Sequence, residues 1–327
     1  MTARIALLGA LGYGTIYSRL LLENQEADGL GQLVGAIDPR HEAVPDDHLL
    51  RTHRIPLYAS LDDFLAADRA DLFIIATPIH THLPLTRACL ASGADVLLEK
   101  PLCGDLAQAR ELLALTDAGP GRVHMGYQRS YSPGMQALKQ AIQAGELGTP
   151  AHFSVTACWP RDRAYYDRAA WAGRQRLEDG TPVFDSPMNN ACAHFLFNML
   201  WLLDPELGDA AAPTRLRAAL GRANAIENCD TCLVELVAAG VSCRFQASHA
   251  IQREHHPDLC YRFSDGVLRH HWQGEMVFTR PDGSTRTFAP PEQKARKVAA
   301  ALRARQEGRS GPCSVRAAAM HTIAIST

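Results

Sequence analysis

The sequence of 327 residues lacks any hydrophobic run long enough to cross a bilayer. Its longest apolar run, from Phe195 to Leu203, has nine residues and contains Asn198, whereas a spanning helix needs about 18 or more. The chain also lacks an excess of either charge, because 33 Lys and Arg oppose 35 Asp and Glu. The composition therefore predicts no membrane partner and no nucleic-acid partner.

The cysteines show no disulfide or zinc pattern. There are nine of them, an odd number scattered through a long chain, as a reducing compartment permits. Cys229 and Cys232 form one CxxC pair without a second pair at zinc spacing, and a separation of three puts their sulfurs on opposite faces of a strand. We therefore expect a cytoplasmic protein without a bound metal.

The length predicts about two domains, and the hydrophobic pattern places their division. In the first 127 residues, short apolar runs alternate with helical stretches, which favours a parallel sheet covered on both faces. After Tyr127 the runs alternate apolar and polar residues, which favours a large antiparallel sheet. Within it, a helix is predicted over Asn189–Leu203. We expect an α/β protein with a cofactor domain at 1–127 and a domain for substrate binding and oligomerisation at 128–327.

A glycine-rich loop follows the first predicted strand, Arg4–Gly9. Glycines between a strand and a helix let the backbone turn tightly and approach a pyrophosphate at the helix N-terminus. The spacing differs from the usual GxGxxG, because Leu11 stands at the second glycine position. The motif is weak alone, but its context favours a dinucleotide site formed by Gly9, Leu11, Gly12, Tyr13 and Gly14.

Asp38 ends the next predicted strand. An acidic side chain at this point accepts hydrogen bonds from ribose hydroxyls and repels a 2′-phosphate, which favours NAD over NADP. Arg40 leaves the choice open, since a guanidinium there suits a 2′-phosphate or stacks on adenine. We therefore expect NAD as the cofactor, with NADP as the weaker alternative.

Two further loops end strands at the same predicted edge of the sheet. Thr77 and Pro78 follow the most apolar strand, and we assign them to the cofactor. His82 either reaches the cofactor or faces solvent from a helix start. Glu99 and Lys100 directly follow the strand Asp95–Leu98, where the nicotinamide is expected. A lysine near an oxidised nicotinamide should have a lowered pKa and exchange a proton with substrate, with Glu99 orienting it; the alternative is a surface salt bridge.

These motifs together resemble the Gfo/Idh/MocA family, the group of glucose–fructose oxidoreductase and inositol dehydrogenase. The resemblance rests on Ile74-Ile-Ala-Thr-Pro78, His82, Gly93-Ala-Asp-Val96, Glu99-Lys100-Pro101, Gly126-Tyr-Gln-Arg129-Ser-Tyr131-Ser-Pro133 and Gly145-Glu-Leu-Gly148. It implies a Rossmann domain followed by an open antiparallel-sheet domain. It also implies NAD(P)-dependent chemistry on sugars, cyclitols and related polyols, and homodimers or homotetramers formed through the second sheet. We assign Tyr127 and Arg129 of this stretch to substrate binding.

The family's second-domain site usually has an Asp followed four residues later by a His. The matching residues here are Asn190 and His194, so an amide replaces the carboxylate. Asn cannot act as a base, and the proton transfer therefore falls on Lys100 and His194, while Asn190 holds a substrate hydroxyl. Asp185 substitutes for the missing carboxylate if its loop folds back, and His194 packs in the core in the alternative interpretation.

The segment Arg161–Asp179 carries five arginines and three aromatic residues. Aromatic faces suit sugar rings, and guanidinium groups suit hydroxyls or carboxylates. We interpret it as a substrate lid or a subunit contact, with a solvated loop as the alternative, and assign Trp171 and Arg174 to substrate binding.

The sequence thus predicts an NAD-dependent dehydrogenase of a sugar, cyclitol or polyol. Two rivals stay open. One is a glycoside hydrolase or lyase that oxidises its substrate transiently and recycles the cofactor. The other is a non-catalytic sensor of sugars or nucleotides on the same scaffold.

Overall fold

The structure is a computed structural model that describes residues 2–23, 31–118, 121–272, 274–291 and 294–326. Its first sheet has six parallel strands in the order β3-β2-β1-β4-β5-β6. The strands are β1 (Arg4–Leu8), β2 (Gln32–Ile37), β3 (Leu57–Tyr58), β4 (Leu72–Ile75), β5 (Asp95–Leu98) and β6 (Val123–Met125). The helices between them are α1 (Gly14–Leu22), α2 (Leu49–Thr52), α3 (Leu61–Ala67), α4 (His82–Ala91) and α5 (Leu106–Ala118). The order reverses between β1 and β4, where such sheets bind nucleotides.

The sequence predicts two helix ends, with Ser60 as the cap of a helix that has Asp63 at its third position and Gly93 as the C-cap of a helix over Thr81–Ser92, and the structure has both. Ser60 accepts a hydrogen bond from the Asp63 backbone N–H, and Asp63 accepts one from the Ser60 N–H, each at 3.1 Å. This reciprocal pair satisfies donors that a helix start leaves free. Gly93 follows α4 with φ +84°, a conformation that glycine adopts without a steric penalty.

The second sheet has eight strands in the order β14-β13-β12-β11-β7-β10-β9-β8. All neighbours are antiparallel except β7 and β10. The strands are β7 (Pro150–Cys158), β8 (Pro213–Gly221), β9 (Thr231–Ala238), β10 (Val241–Ser248), β11 (His255–Phe263), β12 (Gly266–His271), β13 (Met276–Thr279) and β14 (Thr285–Phe288). The predicted α/β class with a large, mostly antiparallel second sheet is confirmed.

Five more helices complete the described chain: α6 (Pro133–Gln143), α7 (Arg163–Asp167), α8 (Ala193–Leu203), α9 (Arg296–Gln306) and α10 (Val315–Ser326). Helices α6 and α8 pack against the second sheet. Helix α10 contacts α5 and α8. Helix α9 returns to the first sheet, where Val298, Ala301 and Leu302 share a core with Ile5 and Tyr17. A late segment of the chain therefore covers one face of the cofactor sheet.

The bounds of two helices differ from those that the sequence predicts. The helix predicted from Asn189 begins at Ala193, because residues 187–192 form turns. The apolar pattern after the glycine-rich loop predicts a helix over Thr15–Glu26. The structure describes this helix from Gly14 to Leu22, and residues 24–26 lie outside the described residues. The division of domains at residue 127 stays a prediction. In the described parts of the chain, no helix is both long and apolar enough to cross a membrane.

Candidate active site

The glycine-rich loop folds tightly because two of its glycines sit where a side chain would clash with backbone. Gly9 has φ +92°, and a Cβ there would lie 2.7 Å from the Ala76 carbonyl oxygen. A Cβ on Gly14 would overlap the carbonyl oxygen of Gly9. Gly12 has φ +61° and open space beside it. This loop packs closely against β4 while leaving its outer side free, which is the geometry that a nucleotide pyrophosphate needs.

Asp38 braces this loop from the end of β2. Its Oδ2 accepts hydrogen bonds from the backbone N–H groups of Ala10 at 3.0 Å and Leu11 at 3.4 Å. Its Oδ1 accepts from the Arg40 N–H at 2.9 Å. The Asp38 side chain is buried and the Arg40 side chain exposed, with Arg40 Nε 3.9 Å from Asp38 Oδ1. The sequence missed this bracing role, since it depends on a contact between two loops.

A cleft of about 380 Å³ joins the glycine-rich loop to the Lys100 region. It brings together predicted residues from the ends of four strands, β1, β2, β4 and β5, and from the second domain. Its lining includes Leu11, Gly12, Tyr13, Arg40, Thr77, Pro78, Glu99, Lys100, Trp171 and Asn190. The carboxyl edge of the sheet and the inserted segments of the second domain thus enclose one common site.

His82 lies beneath this cleft. Its ring is buried, with Nδ1 2.9 Å from the Pro101 carbonyl oxygen and Nε2 3.1 Å from the Thr77 carbonyl oxygen. Burial lowers the pKa of His82. The ring therefore ties the loop after β4 to the loop after β5. The alternative of a solvent-facing His82 is wrong, and its contact with a cofactor stays a prediction.

Lys100 faces the second domain. Its Nζ donates to the backbone carbonyl oxygen of Asn190 at 3.0 Å and to the Asn190 Oδ1 at 3.1 Å. Burial lowers the pKa of Lys100, and nearby Glu99 and Asp185 partly oppose this. The alternative of a surface salt bridge between Glu99 and Lys100 is wrong, because among the described contacts no Glu99 oxygen bonds the Lys100 ammonium.

Asp185 takes part in the site as the fold-back alternative required. Its Oδ1 accepts from Asn190 Nδ2 at 2.7 Å, and its Oδ2 accepts from the Gly173 N–H at 2.7 Å. Burial raises the pKa of Asp185. A chain of hydrogen bonds therefore runs from Lys100 through the Asn190 amide to a buried carboxyl group.

His194 is the second residue of α8. Burial lowers the pKa of His194 well below its ordinary value, and the charges of Lys100 and Arg129 add to this effect. Its ring meets Tyr127 edge to face, with centroids 5.7 Å apart. The lowered pKa keeps the His194 imidazole neutral at neutral pH. A spacing of four residues predicts that Asn190 and His194 share a helix face, but Asn190 lies in a turn before α8, so they do not.

Tyr127 and Arg129 lie behind the cleft. Tyr127 is fully buried, stacks on Phe197 at 3.8 Å, and its hydroxyl lies 3.1 Å from His321 Nδ1. The Arg129 guanidinium is buried over the Phe195 ring at 4.6 Å. Both side chains pack against α8, and neither is among the residues that line the cleft. Their contact with substrate stays a prediction.

The segment Arg161–Asp179 contributes Arg168 and Trp171 to the lining of the cleft. The Arg168 guanidinium stands 3.6 Å from the Tyr165 ring centroid and 4.8 Å from that of Trp171. Arg174 lines a different cavity with Tyr166. The structure thus brings Trp171 to the site and not Arg174, and it adds Arg168.

The sequence also missed a buried pair under Lys100. Lys297 of α9 forms an ion pair with Glu99, and both side chains are buried. The Tyr17 hydroxyl donates to the same Glu99 oxygen at 2.7 Å. The stretch Lys294–Arg309 has six basic residues against one acid, which predicts an exposed helix face. That prediction is wrong for Lys297, which lies one turn before the buried Ala301. That helical spacing was the available signal.

The cysteine and metal predictions concern a different region. Cys229 and Cys232 are unbonded and buried, and burial raises the pKa of the Cys229 thiol to about 11. No cluster of His, Cys, Asp or Glu suited to a metal ion occurs within the residues that the structure describes.

The fold and the site together define a class: a two-domain protein with a dinucleotide cleft and a lysine at its inner end. Residues 3–127 match a family model described as an oxidoreductase family with an NAD-binding Rossmann fold. Residues 135–269 match the GFO/IDH/MocA C-terminal domain. The chain belongs to the Gfo/Idh/MocA family, as its motifs indicated, and the predicted NAD-binding domain is confirmed.

Several relatives have names that refer to inositol. The chain is 37% identical over 146 residues to inositol 2-dehydrogenase of Rubrobacter xylanophilus, covering 44% of this chain and 38% of that protein. It is 27% identical over 221 residues to the rhizopine catabolism protein MocA of Rhizobium meliloti, covering 67% and 61%. The aligned part thus spans less than two thirds of either relative.

Solved structures share the whole fold. Levoglucosan dehydrogenase in complex with NADH and levoglucosan has a TM-score of 0.80 at 15% identity, covering 98% of this chain and 95% of that chain. The WlbA dehydrogenase of Bordetella pertussis, in complex with NADH and UDP-GlcNAcA, has a TM-score of 0.80 at 19% identity, covering 98% and 94%. At these identities the likeness concerns the fold alone.

Proposed function

We propose that this protein is an NAD-dependent dehydrogenase that oxidises a hydroxyl carbon of a sugar, cyclitol or related polyol. One observation carries the proposal. Lys100 Nζ stands in the cleft at the inner end of the nucleotide loop, held by two oxygens of Asn190 and with a lowered pKa. The names of relatives that act on inositol and levoglucosan support the substrate class.

The residues of the cleft fit the cofactor. Gly9 and Gly14 let the loop fold tightly against its own backbone, Gly12 leaves open space beside it, and Leu11 and Tyr13 complete the loop. Asp38 and Arg40 stand at the adenosine end, and Thr77, Pro78, Glu99 and Lys100 lead to the nicotinamide end. NAD, when bound, supplies the carbon that accepts the hydride.

Lys100 is the proton acceptor in this proposal. A half-buried lysine with a lowered pKa is neutral in a larger fraction of molecules near neutral pH, so its lone pair can take the proton of a substrate hydroxyl. The two hydrogen bonds from Lys100 to Asn190 restrict the position of Nζ. The Asp185 carboxyl group fixes the Asn190 amide in turn, because it accepts from Asn190 Nδ2.

His194 is the second acid–base group, and Asn190 holds the substrate hydroxyl. The lowered pKa of His194 keeps its imidazole neutral, so that it can exchange a hydrogen bond with substrate without adding charge beside Lys100. Trp171 offers an aromatic ring to the cleft that it lines. We propose a sugar ring as its partner.

The test is a screen of the purified protein against sugars, cyclitols and glycosides with NAD. The proposal predicts one NADH for each substrate molecule oxidised. Cleavage of a glycoside without net NADH would favour the hydrolase or lyase that recycles its cofactor. Binding of NADH without turnover of any substrate would favour the sensor.

A further inference from the structure

We infer that Lys297 is a positioning residue. Its ion pair neutralises the charge of Glu99, and this leaves the Lys100 ammonium directed at Asn190 and the cleft. The inference deepens the proposed function and rests on Lys100 as the proton acceptor. It concerns a residue nearly two hundred positions away in the chain, on a helix that packs beneath the nucleotide loop.

The geometry gives Glu99 a full set of partners without the Lys100 ammonium. Its Oε1 receives the Lys297 ammonium and the Tyr17 hydroxyl, the latter at 2.7 Å. Its Oε2 accepts from the Lys100 backbone N–H at 3.1 Å. The Lys297 ammonium also stands 4.6 Å from the Tyr17 ring centroid and 5.4 Å from that of Tyr13. Lys297 is 1% exposed, so this pair belongs to the floor of the site.

The charges give the pair its consequence. Glu99 raises the pKa of Lys100, whereas the like charge of Lys297 lowers it. Removing Lys297 leaves a buried carboxylate whose nearest remaining cation is Lys100. A buried charge that loses its partner is strongly destabilised, so Lys100 would turn from Asn190 towards Glu99. The loss of the Lys297 charge and the approach to Glu99 would both stabilise the ammonium form of Lys100 and so raise its pKa.

The buried tyrosines, cysteine and histidines around the pair are neutral near neutral pH. Burial raises the pKa values of Tyr17, Tyr127, Tyr131 and Cys192 and lowers those of His82, His194 and His321. The charge of Asp185 acts on Lys100 and that of Lys294 on Lys297, and Tyr13 lies over Lys297. Burial also raises the pKa of Asp185, so the pH profile is paired with an NMR signal that reports on Lys100 alone.

The first readout is the pH profile of kcat/KM for substrate oxidation. A base must be deprotonated, so activity rises with pH through the pKa of Lys100. In Lys297→Met this acidic limb should move to higher pH by about one unit, the size expected for a change of charge a few ångströms away. In the Glu99→Gln, Lys297→Met double variant both charges are absent, and the limb should return to the wild-type position or below it. Arg303→Met, on the exposed face of the same helix, is the matched control.

The second readout needs no substrate. The sequence contains four lysines, Lys100, Lys139, Lys294 and Lys297, so lysine labelled with ¹³C at Cε gives few NMR signals. The Lys100 signal is the one lost in Lys100→Arg. Its titration midpoint should rise in Lys297→Met and fall back in the double variant. Melting curves of each variant show that the compared proteins are folded.

The outcomes separate the two claims. A Lys100 midpoint that does not rise in folded Lys297→Met overturns the inference, as does an equal rise in the double variant. A midpoint that rises as described while no polyol is oxidised by the wild-type protein supports the inference about Lys297 and overturns the proposed function alone. If Lys297→Met does not fold, the double variant and Glu99→Gln carry the same comparison, with a lower midpoint expected in Glu99→Gln.

Discussion

At the residue scale, the chemistry depends on Lys100, whose ammonium form is disfavoured by burial. Replacing it with methionine keeps most of its apolar bulk and removes the proton acceptor. We expect kcat of Lys100→Met to fall about a thousandfold, within the range that general acid–base catalysis contributes. Binding of NADH, followed by fluorescence, should persist. Turnover near the wild-type rate would contradict the role of Lys100.

Asp38 permits a test of cofactor choice with two variants. Asp38→Asn removes the charge and keeps an oxygen for the N–H groups of Ala10 and Leu11, so the affinity ratio should shift towards NADPH. Asp38→Ala removes the brace as well, and both cofactors should bind more weakly, by about tenfold for a lost charge-assisted contact. Titrations with NADH and NADPH measure both ratios. An unchanged ratio in Asp38→Asn would show that the carboxylate does not select NAD.

The neighbourhood of some site residues could be predicted from the sequence, and that of others could not. Lys100 and Asp38 follow strands, and strand ends meet at one edge of a parallel sheet, so their neighbourhood was predictable. Lys297 was hidden because its partner Glu99 comes from a distant part of the chain. The rings of His82 and Tyr127 were hidden in another way, because residue type does not tell whether a polar atom faces a cleft or a backbone carbonyl.

At the scale of elements, the segment Arg161–Asp179 has some residues that line the cleft and others that lie outside it. Arg168 lines the cleft next to Trp171, while Arg163 is exposed on α7 and pairs with Asp167. We expect Arg168→Gln to raise KM for the polyol about tenfold, since a hydrogen bond from a charged group contributes about 1.5 to 3 kcal/mol. Arg163→Gln is the matched control.

The measurement is steady-state kinetics at saturating NAD. Arg174→Gln belongs in the same series, because the sequence assigns this residue to substrate and the structure places it in another cavity. Equal KM values for Arg168→Gln, Arg163→Gln and the wild type would show that the segment does not contact substrate.

Elements with a strong local pattern were predictable, and those that depend on context were not. The strand Asp95–Leu98 and the cap at Ser60 match the sequence analysis because apolar runs and capping side chains act locally. The start of α8 does not, since the turns before it are held by Asp185 and Lys100 from outside the helix. The two-residue strand β3 is too short for any periodicity.

At the scale of the whole molecule, the second sheet presents an outer face that we propose as the contact between subunits. Leu233 and Gln246 are cross-strand neighbours on this face, and the family resemblance implies homodimers or homotetramers formed there. We expect light scattering after gel filtration to give a dimer or tetramer mass. Leu233→Glu should lower that mass, since a charge would be buried in the contact.

Leu207→Glu is the control for this experiment. Leu207 is 38% exposed and lies in the loop after α8, away from the second sheet's outer face. A monomeric wild-type protein, or equal masses for the two variants, would contradict the proposed contact.

The central claim is that Lys100 serves an NAD-dependent oxidation of a polyol hydroxyl. The measurement that tests it most directly is the stoichiometry of NADH formation by the wild-type protein and Lys100→Met with the same sugar or cyclitol. The account predicts one NADH for each substrate oxidised by the wild type and almost none from the variant, which still binds NADH. Substrate conversion without net NADH, or equal NADH formation by both proteins, would contradict it.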